Sequence, residues 1–282
     1  MTNWTENDIS VNGINVHFLR TGQGEKPALV LSHGFSGSGW SWYDAARALE
    51  ADYDLILPDT RGHGQSHRCA RGEKTDLTAD LAGLIRALGL DRPFVGGHSL
   101  GANYAARVAA CHPDLLRGLV LIDPAWCLLP NGVPDEPRPP DDEDSPPGES
   151  TYDRWLMRMQ SLPFEAAVAE LRKKAPHKDE AALIRWAKTV QAFDLNFFTT
   201  EDVTRIDFPE IVHLIRCPTL LVTGEVRLGA IVGVHQAQWI VEQNPLFDVA
   251  RIMGAGHNIL DDNFLDAIRV MKDFLRQANR SN

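Results

Sequence analysis

The feature that most restricts this chain is a five-residue turn, Gly97-His98-Ser99-Leu100-Gly101, set between the apolar run Phe94-Val95-Gly96 and an alanine-rich stretch from Leu100 to Cys111. As a bare pattern it is weak, with about 0.1 chance matches expected in a chain of this length. Its surroundings make it strong. A strand running in and a helix running out leave the serine on a sharp, strained turn, where side chains at positions 97 and 101 would strike the neighbouring strand and helix. Ser99 is thereby a candidate nucleophile. The free N–H groups and positive dipole end of the following helix face the place where an oxyanion would form.

Short apolar runs alternate with amphipathic stretches from residue 28 to 124 and again from 218 to 278, the pattern of a mostly parallel sheet flanked by helices. Strands are expected at 28–32, 53–57, 93–97, 118–122, 219–223 and 248–253, and helices at 42–49, 76–88, 100–111, 234–243 and 264–277. Two further strands, 8–11 and 14–19, flank Asn12-Gly13, a dipeptide that supplies positive φ for a hairpin turn. The expected fold is α/β, with an eight-stranded, mostly parallel sheet. After the sixth strand, 118–122, the alternation stops for about ninety residues, too long for a crossover loop. The chain therefore divides into a core of residues 1–124 and 211–282 and a helical cap of residues 125–210, with cap helices at 152–160, 163–174 and 179–193. The cap opens on an acidic, proline-rich loop, 134–149, too polar to pack as helix or strand.

Composition narrows the partners. The formal charge is −10, of which residues 135–149 hold seven acids against one arginine, leaving −4 for the remainder. Neither part suits nucleic acid, whose phosphates need lysines and arginines. No run of 18 apolar residues is present to span a bilayer, and the polar start Met1-Thr2-Asn3-Trp4-Thr5 is unlike a secretory signal, so a cytoplasmic protein without membrane attachment is expected. Cys69, Cys111, Cys127 and Cys217 show neither CxxC pairing nor histidine clustering, so reduced thiols are expected and no metal or organic cofactor is implied.

A second piece of chemistry lies at Leu31-Ser32-His33-Gly34-Phe35, where a strand ends in a glycine that admits close backbone approach. The N–H groups of Phe35 and Leu100 would form a two-donor oxyanion hole, with His33 tethering its loop. His33-Gly34-Phe35, the segment Asp59 to Ser66, the turn Gly97 to Gly101 and Gly254-Ala255-Gly256-His257 together resemble the α/β-hydrolase fold superfamily over nearly the whole chain. The resemblance implies hydrolysis, gives Asp59 and His63 a structural place, and puts the general base at His257. Here the chain departs from the pattern. After the strand 219–223 the family commonly carries its acid three residues beyond a glycine, and Gly224-Glu225-Val226-Arg227 has an arginine there, a permanent cation unable to accept from histidine. Asp123 and Glu225 are the substitutes, both in the required chain order. Asp123 ends the sixth strand as in some haloalkane dehalogenases and a fungal lactone hydrolase; Glu225 lies in the usual loop.

A serine nucleophile argues against epoxide hydrolase and dehalogenase chemistry, which needs a carboxylate to form an alkyl-enzyme ester. The expected function is hydrolysis of a carboxylic ester or lactone through an acyl-enzyme, with a small apolar or aromatic substrate bound by Trp126 and Trp40. Hydrolysis of a carbon–carbon bond in a ring-cleavage product, or ligand reception without turnover on the same fold, are the alternatives.

Overall fold

The computed structural model describes residues 4–126, 151–203 and 207–280; Cys127 and the acidic loop 134–149 lie outside them. The first half runs β1 (Thr5–Val11), β2 (Ile14–Arg20), β3 (Ala28–Ser32), α1 (Tyr43–Leu49), β4 (Asp54–Pro58), β5 (Lys74–Thr75), α2 (Leu77–Ala87), β6 (Phe94–His98), α3 (Leu100–Cys111) and β7 (Gly118–Ile122). The second continues with α4 (Thr151–Ser161), α5 (Phe164–Lys174), α6 (Glu180–Ala192), β8 (Glu201–Asp202), α7 (Phe208–Leu214), β9 (Thr219–Thr223), α8 (Val234–Gln243), β10 (Phe247–Arg251), α9 (Ile259–Asp262) and α10 (Phe264–Arg280).

Eight strands form one sheet in the order β1-β2-β4-β3-β6-β7-β9-β10. β1, β2 and β4 pair antiparallel, and every neighbour from β4 to β10 is parallel. The Asn12-Gly13 turn takes positive φ at both residues, 50° and 82°, as a tight hairpin requires. In the central strands alternate residues face opposite layers, so both faces are apolar. Val30, Ile56, Val95, Leu119 and Leu121 meet α2 and α3, whereas Leu31, Leu55, Leu57, Val120 and Val222 meet α1 and α10.

The interval between β7 and β9 is mainly helical where it is described, with the short strand β8 pairing in parallel with β5. α4, α5 and α6 share a core of their own around Leu156, Leu171, Leu183, Val190 and Phe193, against which Phe35 packs. α7 behaves differently. Its Ile211 and Val212 join the sheet-side core with α3, so the boundary expected at residue 210 falls inside a helix. No helix among the described residues is long and apolar enough to cross a membrane.

Candidate active site

β6 delivers the chain to Ser99, which holds φ 52° and ψ −114°, a conformation that side-chain-bearing residues rarely adopt. Backbone crowding explains the flanking glycines. A Cβ on Gly97 would lie 2.4 Å from the carbonyl carbon of Gly101, and one on Gly101 would lie 2.2 Å from the Ser32 oxygen at the end of β3. α3 begins at Leu100, so its first-turn N–H groups cluster beside the serine.

The loop after β3 is fixed by two buried histidines. His33 Nδ1–H donates to the Gly34 oxygen at 2.8 Å while its Nε2 accepts from Thr60 N–H at 2.9 Å. His63 Nδ1–H donates to the Arg61 oxygen at 3.0 Å and its Nε2 accepts from Ser36 N–H at 3.2 Å. Each ring uses one nitrogen as donor and the other as acceptor, so both are neutral. Burial lowers the pKa of each, that of His63 to about 3. This clamp brings Gly34 to the serine: a Cβ built on Gly34 would sit 3.4 Å from Ser99 Cβ. Phe35 follows, its ring 5.1 Å from Phe193 and 5.5 Å from Phe198 between centroids, and Ser36 Oγ is hydrogen-bonded to the Tyr152 hydroxyl of α4. Asp59 serves the same framework, accepting from His17 Nδ1–H, Gly39 N–H and Gln65 N–H.

His257 Nδ1–H donates to Asp123 Oδ2 at 2.6 Å. Asp123 is fully buried at the end of β7, with φ 41° and its N–H bonded to the Val222 oxygen of β9. Its carboxylate also accepts from Ile231 N–H at 2.8 Å and Val232 N–H at 3.0 Å. His98 braces the histidine from the other side. Its Nε2–H donates to the His257 oxygen at 2.8 Å with the rings 4.6 Å apart, and burial together with the neighbouring His257 lowers its pKa to about 4.

Glu225 is equally buried but turned elsewhere. Oε1 accepts from Gly254 N–H at 2.6 Å, and Oε2 pairs with Arg227. These two contacts, the Gly254 bond foremost, hold its carboxyl below the usual glutamate range. Of the two acids expected from sequence, only Asp123 meets His257.

Trp40 lines a cavity of about 300 Å³ that also touches Gly34, Phe35 and His98, the immediate neighbours of Ser99. Its lining includes His98 and Asn258, the chain neighbours of Ser99 and His257, but neither Ser99 nor His257 itself. Trp126, expected beside it, is instead in the sheet-side core. Its ring stacks on Phe208 at 5.4 Å, its Nε1–H reaches Asn103 of α3 and its carbonyl accepts from Gln236, which together turn it away from the cavity. Sequence reasoning missed His98, although it adjoins the serine, and the Ile231 and Val232 amides, for which no side-chain signal exists.

Residues 27–166 match the family model described as alpha/beta hydrolase fold. The chain is 30% identical to N-formylmaleamate deformylase of Pseudomonas putida over 95% of both chains. It is 36% identical to an epoxide hydrolase of Caballeronia sordidicola, over 40% of this chain and 35% of that one. Among solved structures, the N-formylmaleamic acid deformylase of Pseudomonas putida S16 superposes with a TM-score of 0.68 at 21% identity, covering 94% of this chain and 99% of that one. The chain is a hydrolase of the α/β-hydrolase fold family.

Proposed function

We propose that the chain is a serine hydrolase that cleaves a carboxylic ester or lactone, with Ser99 as nucleophile, His257 as general base and Asp123 as the acid. The observation that carries this reading is the 2.6 Å bond from His257 Nδ1–H to Asp123, because it commits the proton to Nδ1 and leaves Nε2 free to accept. Ser99 Oγ attacks the acyl carbon as its proton passes to Nε2. The N–H groups of Phe35 and Leu100 hold the oxyanion, each worth a few kcal/mol in the transition state. Nε2 then returns the proton to the leaving oxygen as the acyl–oxygen bond breaks. Water, deprotonated by the same nitrogen, attacks the acyl-enzyme; the acid product leaves and Ser99 regains its proton. Helices α4 to α6 serve as the cap over this site.

An acyl group on nitrogen is a second reading, favoured by the 30% identity over nearly full length to a relative named as a deformylase of N-formylmaleamate. The same acyl-enzyme would serve, with Nε2 protonating the leaving amine. Epoxide opening is disfavoured because Ser99 stands where an alkyl-enzyme ester needs a carboxylate.

Intact-mass detection of a fluorophosphonate adduct tests the reading. Rapid single labelling of the native chain should vanish in Ser99→Ala and slow by at least a hundredfold in His257→Ala. A folded native chain that takes no label would overturn it and favour a ligand receptor. Loss of a dienoate's colour without ester turnover would favour carbon–carbon cleavage instead.

A further inference from the structure

The cavity beside Ser99 has a charged wall that nothing in ester hydrolysis requires. Lys174 at the end of α5, Lys178 in the loop that follows and Arg185 of α6 line it together with Trp40 and Tyr43. Two carboxylates share the lining, Asp44 and Asp261. Lys178 is already matched, its Nζ 2.7 Å from Asp261. Arg185 is not. Its guanidinium carbon lies 3.9 Å from the centre of the Tyr43 ring, and among the described residues it has no carboxylate at ion-pair distance. Lys174 likewise sits over an aromatic face, that of Trp155 at 4.5 Å.

Stacking occupies the flat face of a guanidinium and leaves its N–H donors at the edges. Arg185 is also half-buried, so water compensates those donors only in part. A stacked arginine is pre-organised as a fork, the arrangement that suits a carboxylate held by two parallel bonds. We propose that this wall is a carboxylate subsite: Arg185, assisted by Lys174, binds the anionic group of a compact substrate whose acyl bond is presented to Ser99. The cavity volume of about 300 Å³ admits a single-ring or short-chain acid, and Trp40 and Tyr43 receive its apolar part. The assignment rests on the serine-hydrolase reading and adds that the preferred ester, lactone or amide carries a negative charge.

A matched pair of esters separates the two ideas: 4-acetoxybenzoate and its neutral methyl ester. The native chain should favour the charged ester. Arg185→Gln should lower kcat/KM for 4-acetoxybenzoate by about 10- to 100-fold while leaving the methyl ester within about twofold, and Arg185→Lys should recover part of the loss. Equal losses on both esters, or no preference in the native chain, would overturn the subsite. A purely structural arginine would produce equal losses. Calorimetry with benzoate and benzamide, which differ in charge but hardly in shape, decides the matter independently of turnover. If the native chain hydrolyses neither ester and takes no fluorophosphonate label, the hydrolase reading fails; with or without turnover, benzoate binding that Arg185→Gln weakens at least tenfold, with benzamide unaffected, upholds the subsite, and absent or unselective benzoate binding overturns it. Should Arg185→Gln not fold, Lys174→Gln provides the same comparison, with an expected two- to fivefold loss confined to the charged ligand.

Discussion

Two carboxylates lie at the carboxyl ends of adjacent parallel strands, Asp123 after β7 and Glu225 after β9, and they meet different fates. Both are buried, at 0% and 4% exposure, and both accept backbone N–H groups. The difference lies in what takes the remaining oxygen capacity. Around Asp123 the extra donors are the Ile231 and Val232 amides, which occupy the carboxylate without removing Oδ2 from His257. Around Glu225 they are Gly254 N–H and the Arg227 guanidinium, a side chain 71% exposed that draws Oε2 outward. The family's usual loop therefore still holds an acid, but one whose oxygens go to the backbone before His257 and to Arg227 rather than to the His257 ring.

Asp123→Asn is the strongest way to break this comparison. An asparagine oxygen in the Oδ1 position would keep the Val232 bond at 3.0 Å and the longer Ile231 bond at 3.1 Å, leaving its NH₂ in the Oδ2 position toward His257. That reverses the tautomer, so Nε2 carries the proton and cannot accept from Ser99. A loss of about 10³- to 10⁴-fold in kcat on 4-nitrophenyl acetate is expected, with KM little changed. A loss below tenfold would remove Asp123 from the assignment.

Glu225→Gln sharpens the other half. A glutamine oxygen still accepts from Gly254 N–H, so the loop 254–256 keeps its anchor while the charge pair with Arg227 disappears. The same steady-state assay should show kcat within about tenfold of the native chain. A collapse matching that of Asp123→Asn would mean that the two carboxylates act as one unit.

Why the sequence left these acids unresolved is a matter of range. The Ser99 turn and the Asn12-Gly13 hairpin are local steric problems with few solutions, so five residues suffice to read them. The choice between Asp123 and Glu225 depends on where the Ile231 and Val232 amides are carried, more than a hundred residues from Asp123 along the chain. Backbone donors leave no mark on residue type. Trp126 misled for a similar reason: its place after β7 is visible in sequence, but Asn103 and Phe208, which fix its ring in the core, come from two distant helices. β5 and β8 escaped because each is only two residues long and exists through the other. β10 begins one residue before its expected start and ends two residues early, its Asp248, Val249 and Arg251 being exposed at the sheet edge and carrying little alternation.

The smallest effect concerns pH. The Glu225 carboxyl is held below its ordinary value near 4.5, first by Gly254 N–H and then by Arg227. Its charged form is thus favoured more in the folded chain than in the unfolded one. Such a group adds stability that is fully present above about pH 4.5 and is lost as the pH falls through the lower, folded-state value. Glutamine cannot titrate, so the difference in Tm between the native chain and Glu225→Gln should be positive and constant from pH 6 to 7 and shrink on acidification below pH 4.5. The buried histidines His33 and His63 also destabilise the fold in acid, but they do so in both proteins and cancel in the difference. A Tm difference that stays level into acid would show that the folded structure does not favour the Glu225 charge. Arg227 would then draw no carboxylate outward, and the contrast with Asp123 would rest on loop geometry alone.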